Sequence, residues 1–273
     1  LNAQGLKINP AKSHIAGKQV KNLGFLLGDG YIKPQNEKIE AISRFPLPKD
    51  KKGLRAFLGL LGYYRRFIPN FSHIASPLTD LLKKGAKTES MLRQPSPAIL
   101  TAFHTLKTAL TTEPILTSPD YSKPFILQTD ASEKGLGAVL SQTDKNEDEK
   151  PVLYISRKLF PREQKYSTIE KEALAIKWAI DSLKYYLEGR EFILYTDHAP
   201  LQWLARNKGQ NNRIMRWFLT LQPYRFRTYH RKGTEQANAD FFSRFPLPRF
   251  HMNKKVRERV CEETRHLPPV PYS

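Results

Sequence analysis

Cysteine is almost missing from this chain. A single one, Cys261, stands among 273 residues. That excludes an internal disulfide framework and any cysteine-rich zinc site, and it fits a reducing compartment. Long apolar runs are missing too: none approaches the ~20 residues needed to cross a bilayer, so no membrane span is expected. An initiator methionine and a signal-peptide pattern are both absent at Leu1, so the sequence reads as a fragment or a processed piece. Acidic residues are scarce relative to basic ones: 26 Asp+Glu face 45 Lys+Arg, a net charge of +19. Such an excess points to a polyanion, most often nucleic acid. The excess is concentrated early, with 18 Lys+Arg against 6 Asp+Glu in residues 1–112. The length suits two domains of ordinary size, and 40% hydrophobic residues can build real cores.

The most informative stretch is Tyr166–His198, YSTIEKEALAIKWAIDSLKYYLEGREFILYTDH. Ile169, Ala173, Ile176, Ile180, Leu183 and Leu187 recur at steps of four and three, which predicts one long helix with a single buried face. Ser167 and Glu170 suit a capping box at its start, and Gly189 suits its stop. At ~100° per residue, Glu172 falls roughly 60° from the centre of the apolar stripe. That is a costly place for a carboxylate unless something charged meets it. Phe192–Thr196 then reads as a short strand that delivers Asp197 at its tip.

Taken in order, Val20–Leu27 and Tyr31–Ile32 read as a hairpin turning at Gly28-Asp29-Gly30. Helices are expected over Pro34–Phe45, Lys51–Tyr64, Ala75–Leu82 and Pro97–Leu110. Arg65 and Arg66 close the second of these, where cations suit the helix dipole and can equally touch phosphate. From residue 113 the character changes. Strands are expected at Phe125–Thr129, Gly135–Ser141, Val152–Arg157, Phe192–Asp197 and Tyr224–Tyr229. Helices are expected at Pro200–Ala205, Asn212–Leu221 and Gln236–Ser243, besides the long one. Hairpin-linked strands followed by helix-connected ones predict an α/β mixed five-stranded sheet flanked by helices. A small hairpin plus a basic helical domain precede it. The expected divisions are 1–35, 36–112, 113–245 and a linker or tail over 246–273. SRFPLP occurs at Ser43–Pro48 and Ser243–Pro248 in unrelated surroundings, and reads as two helix stops.

Four acids are placed alike: Asp130 at a strand end, Glu172 on the long helix, Asp197 at a second strand end, Asp240 opening the last helix. If the two strands are neighbours, these carboxylates converge, and they cannot stay ionised together without cations. Two Mg²⁺ roughly 4 Å apart are the usual solution at a phosphodiester.

TDASEKGLGAVLSQ, YSTIEKEALAIKWAI, LYTDHAPLQWL and YHRKGTEQANADFFSR resemble the RNase H domain of gypsy-class LTR-retrotransposon reverse transcriptases. KNLGFLLGDGYIKPQNEKIEAI resembles the primer-grip hairpin that ends the palm. LRAFLGLLGYYRRFIPNFSHIASPLTDLLKK resembles the thumb. The resemblance covers residues 1 to about 245, and it implies an RNase H-like fold that cleaves the RNA strand of RNA–DNA hybrids. By the same resemblance Asp130, Glu172, Asp197 and Asp240 are the catalytic, metal-holding acids, with two Mg²⁺ (Mn²⁺ as a substitute) as cofactor. His230 assists proton transfer or product release. Nucleic-acid contacts are expected from Lys51, Lys52, Arg65, Arg66, Arg213 and Arg231. The partners are a hybrid duplex and the rest of a Pol polyprotein. The chain has no Asp-Asp pair, so it lacks the family's Tyr-x-Asp-Asp polymerase turn, and polymerisation is expected only within a longer chain. Two other readings remain beside it: a catalytically silent nucleic-acid-binding remnant, and a strand-transfer enzyme of the integrase type.

Overall fold

A computed structural model of the chain describes residues 17–112, 115–196 and 212–230, with the side chain of His230 left out. Two sheets organise it. The first has the order β1-β2-β3-β4, built from β1 (Gln19–Asn22), β2 (Phe25–Gly28), β3 (Tyr31–Pro34) and β4 (Leu116–Thr117). The expected single strand Val20–Leu27 is in fact two strands. Leu23 and Gly24 both take positive φ (46° and 83°), as do Asp29 and Gly30 (49° and 76°). Two residues with φ > 0 make a tight turn whose twist suits a hairpin. The segment therefore folds back twice, where only the Asp-Gly turn carries an obvious signature.

The helical segment follows, with α1 (Asn36–Ser43), α2 (Lys51–Tyr63), a 3-10 turn (Arg65–Phe67), α3 (Phe71–Ile74), α4 (Ser76–Asp80), α5 (Thr88–Arg93) and α6 (Pro97–Thr111). Leu54, Phe57 and Leu61 of α2 pack with Ile99, Phe103, Leu106 and Leu110 of α6 in one core. The helix expected at Ala75–Leu82 is present as the shorter α4, which Pro77 helps to open, and an unexpected short helix, α3, precedes it and ends at Ala75. The helix α5 carries no periodic stripe long enough to read from sequence.

The second sheet has the order β7-β6-β5-β8-β9. Its strands are β5 (Phe125–Ala131), β6 (Gly135–Thr143), β7 (Glu149–Lys158), β8 (Glu191–Thr196) and β9 (Arg225–His230). The β5–β6 and β6–β7 pairs are antiparallel, whereas β5–β8 and β8–β9 are parallel. This is the mixed sheet that the element order predicts. Between β7 and β8 lie α7 (Pro161–Gln164), α8 (Thr168–Ser182) and α9 (Lys184–Leu187). The last described helix is α10 (Asn212–Leu221). The single long helix expected here breaks at Leu183, whose backbone leaves the helical region (φ −105°, ψ 14°). The capping box is present as read: the Glu170 N–H donates to Ser167 Oγ (3.3 Å), and the Ser167 N–H donates to Glu170 Oε2 (3.0 Å). The helices expected at Pro200–Ala205 and Gln236–Ser243 lie outside the described residues.

Candidate active site

The position of Glu172 follows from packing. Phe125 and Leu127 of β5 share a core with Ile176, Ala179 and Ile180 of α8. The Phe125 ring, at the start of β5, lies 6.0 Å from that of Tyr186, beyond the end of α8. Helix and strand thus run in opposite senses. Farther along, Ala131 at the end of β5 packs with Leu174 and Ala175 of α8. Glu172, one turn before Ile176, therefore sits over the C-terminal end of β5. It is 1% exposed. Helix geometry alone puts Glu172 at the rim of the buried stripe, yet it lies inside. The reason is α10, whose Ile214 packs on Ala173 with Ile169 and Trp217 alongside, and so covers that flank.

Along β5, side chains alternate between the two faces of the sheet. Phe125, Leu127 and Thr129 point toward α8, whereas Gln128 and Asp130 point the other way. Strand β8 runs beside β5 in parallel, Phe125 opposite Phe192 and Gln128 opposite Tyr195. The next step sets Thr129 beside Thr196. Both threonines are buried, and neither Oγ1 has a hydrogen-bond partner among the described residues. Buried hydroxyls are usually bonded. Here two of them and a buried carboxylate share one end of the sheet, an oxygen-rich donor set that suits a hard cation such as Mg²⁺.

Of the four predicted acids, the structure brings Asp130 and Glu172 to the same end of β5, from the two faces of the sheet. Asp197 follows Thr196 directly in sequence but lies outside the described residues, as does Asp240. Among the described residues no three His, Cys, Asp or Glu side chains form a cluster able to hold a metal. His230 is the last residue of β9, with its backbone paired to Thr196.

The predicted nucleic-acid residues divide. Arg213 donates to Glu170 Oε1 (2.8 Å) and lies over the Tyr166 ring at 4.2 Å. Arg65 donates to the Ser156 carbonyl. Arg66 lies over Phe25 at 6.0 Å. Lys51 and Lys52 open α2. Arg231 lies outside the described residues.

Sequence reasoning missed the face behind Asp130. The helical segment packs against it: Tyr154 of β7 joins the core of α2 and α6. The Ser72 N–H donates to Ser156 Oγ (3.0 Å), the Ser72 hydroxyl to the Ser156 carbonyl (2.9 Å), and Lys158 Nζ to Asp80 Oδ1 (2.9 Å). Pro69, Asn70, Gln128, Asp130, Gly137, Ala138, Val139 and Tyr154 line a small, partly open cavity of about 10 Å³ there. Burial, and then the charge of Glu149, pushes the Tyr154 phenol far up, so it keeps its proton at neutral pH. One signal was available: glycines alternate at Gly135 and Gly137 within a strand, which marks a close approach by another chain segment.

Residues 120–224 match the model of the RNase H-like domain found in reverse transcriptase. The chain is 40% identical over 262 residues to the retrovirus-related Pol polyprotein from transposon 297 of Drosophila melanogaster, covering 96% of this chain and 24% of that protein. It is 37% identical to the corresponding polyprotein from transposon gypsy of the same fly, covering 88% of this chain and 23% of that protein. The chain thus spans about a quarter of the length of the curated relatives it matches. Among solved structures, the foamy viral protease–reverse transcriptase in complex with an RNA/DNA hybrid aligns with a TM-score of 0.62 at 22% identity. That alignment covers 89% of this chain and 32% of the viral one. The same viral protein in complex with dsDNA aligns at 0.63 and 24%, covering 80% and 45%. At these identities the likeness establishes the fold.

Proposed function

Since this chain belongs to the gypsy-class retrotransposon Pol family, we propose that its RNase H-like domain hydrolyses the RNA strand of RNA–DNA hybrids. The observation that carries the reading is Glu172: a buried carboxylate on α8, next to the Ala173 that α10 covers, toward the strand end that bears Asp130. A structural role explains it poorly, because an apolar residue there would extend the stripe at lower cost. In this reading Asp130, Glu172, Asp197 and Asp240 hold two Mg²⁺. When bound, the ions supply an activated water and a counter-charge for the leaving oxygen.

The rest falls to the chain's own side chains. Asp130 and Glu172 fix the donor set from rigid elements, a strand and a helix tied down by its capping box. Thr129 and Thr196 keep that end of the sheet polar. His230, next to Thr196 across the β8–β9 ladder, helps move the proton that leaves the reacting centre. The basic helical segment holds the duplex by its phosphates through Lys51, Lys52 and Arg66. Discrimination comes from duplex shape and the RNA 2′-hydroxyl. The foamy viral relative of this fold is found with both dsDNA and an RNA/DNA hybrid, which fits a duplex ligand here.

The test is Mg²⁺-dependent cleavage of an end-labelled hybrid by the chain and by Glu172→Gln. The variant should lose at least about 100-fold in turnover, the scale of removing one well-placed electrostatic group, and keep hybrid affinity within a few-fold. Unchanged turnover would remove Glu172 from the site. A chain that binds the hybrid but never cleaves it, at any Mg²⁺ or Mn²⁺ concentration, would leave a binding remnant instead.

A further inference from the structure

Asn70 is oddly used. It stands at the N-cap of α3, a position where asparagine usually accepts a bond from the helix, yet its side chain makes no such bond. Its backbone takes the left-handed conformation (φ 49°). The helix N–H left over is served from elsewhere, by Ser156 Oγ on β7. The Asn70 side chain instead reaches the sheet. A Cβ built on Gly137 would stand 2.5 Å from Asn70 Oδ1, so only glycine leaves it room. Gly137 is the direct cross-strand partner of Asp130.

The cavity between them is about 10 Å³, which is room for one water and no more. Gln128 lines it as well. That side chain is 1% exposed and donates through Nε2 to Glu149, while its Oε1 has no hydrogen-bond partner among the described residues. A buried amide oxygen on a residue that lines a water-sized cavity, beside the side chains of Asn70, Asp130 and Tyr154, calls for a donor.

We propose that one ordered water occupies this cavity and ties Asn70 and Gln128 to the Asp130 carboxylate, making both of them positioning residues for the candidate active site. The water donates one proton to Gln128 Oε1 and one to Asp130. It accepts from the Asn70 amide, so it has three partners, within the usual range for a buried water. Asp130 is thereby oriented by a residue about 60 positions earlier in sequence, on the helical segment. The proposal rests on the reading of Asp130 as a metal ligand. Groups that hold a ligand's other lone pairs typically change metal affinity or activity by about 10–100-fold.

The experiment titrates MgCl₂, and separately MnCl₂, into the full chain by calorimetry without substrate, and then measures the Mg²⁺ dependence of hybrid cleavage. Asn70→Ala and Gln128→Met remove the two anchors. Gly137→Ala is an independent perturbation, because its methyl displaces the Asn70 amide. All three should raise the metal dissociation constant about tenfold, while the urea midpoint and the KM for hybrid stay near those of the parent. Asp130→Asn is the control. If it abolishes metal binding while Asn70→Ala and Gly137→Ala bind metal as the parent does, the positioning role is refuted and the nuclease reading stands. If Asp130→Asn also leaves metal binding unchanged, both fall together. A loss in Asn70→Ala matched by an equal loss of folding stability would mark a packing role and overturn the proposal.

Discussion

Ser156 offers the sharpest test of how the helical segment is held on the sheet. It is 3% exposed and makes three contacts with Ser72. Its Oγ accepts from the Ser72 N–H (3.0 Å) and donates to Ser72 Oγ (3.2 Å), and its carbonyl accepts from the Ser72 hydroxyl (2.9 Å). The two serines look equivalent, but their losses differ. Ser156→Ala strips the acceptor from a helix-start N–H that Asn70 does not serve, and leaving such a donor unpaired costs about 1–3 kcal/mol. Ser72→Ala removes a hydroxyl from a carbonyl that still accepts from Arg65, so it should cost only about 0.5–1.5 kcal/mol. Ser156→Ala should therefore be the more destabilising by about 1 kcal/mol, a shift of about 2–4 °C in Tm for a protein of this size. Urea unfolding of both variants, and of the double variant, measures this. The pair should couple, because each removes part of the other's environment. Equal costs, or a larger cost at Ser72, would refute the reasoning that Ser156 stands in as the cap of α3.

Two further outcomes follow from charge. Arg157 grips Glu163 bidentately, Nη1 to Oε2 at 2.6 Å and Nη2 to Oε1 at 3.2 Å, and the Phe160 N–H adds a third bond. Burial alone would raise the Glu163 carboxyl, but these bonds outweigh it and hold the group below its ordinary 4.5. A depressed carboxyl stabilises the fold above its unfolded value and loses that contribution as pH falls through the folded value. Glu163→Gln should thus cost about 1–3 kcal/mol at pH 7, with the deficit closing below pH 4.5; a pH-independent deficit in thermal unfolding would count against the pair. With +19 net charge, hybrid affinity should fall by about 10³-fold or more between 50 and 200 mM salt if six or more phosphates are contacted. A flat salt profile in fluorescence anisotropy would exclude a phosphate-clamping role for the basic segment.

What could be read from the sequence was what repeats locally. The helix ending at Leu221 stops where its pattern predicts, and the Ser167–Glu170 box is bonded as its spacing implies. The mixed sheet follows from element order alone. Two of the three misses share a physical cause. At Leu23-Gly24 the chain turns with positive φ on a leucine, a conformation that no propensity favours. At Leu183 the helix breaks within an unbroken apolar stripe. Glu172 is deeper than its own helix predicts, since its second wall comes from α10, more than 40 residues later. The Leu23-Gly24 turn is held by hydroxyls of Tyr63 and Tyr64, 40 residues later, so it and the depth of Glu172 depend on contacts between distant parts of the chain, for which single-helix geometry contains no term; nothing in the structure explains the break at Leu183.

The same distinction explains why the candidate acids stand out in the sequence and the residues packed behind Asp130 do not. A carboxylate on an apolar face is anomalous by itself, so Glu172 is singled out as a candidate before any fold is known. Asn70, Gln128 and Ser156 are unremarkable in their local contexts: a turn residue, a strand amide and a strand hydroxyl. They come together only because α3 docks on the sheet with its cap supplied from β7, which sets Asn70 at the cavity beside Asp130. Gly137 is the one trace of this in the sequence, because a close approach must exclude a side chain somewhere. The physical consequence is that the helical segment and the sheet are not independent at this end of the molecule. Loosening the contact at Ser156 should disturb Asp130 through Asn70, so Ser156→Ala should weaken Mg²⁺ binding as well as stability. An intact metal affinity in a measurably destabilised Ser156→Ala would show that the docking surface and the acid site are uncoupled.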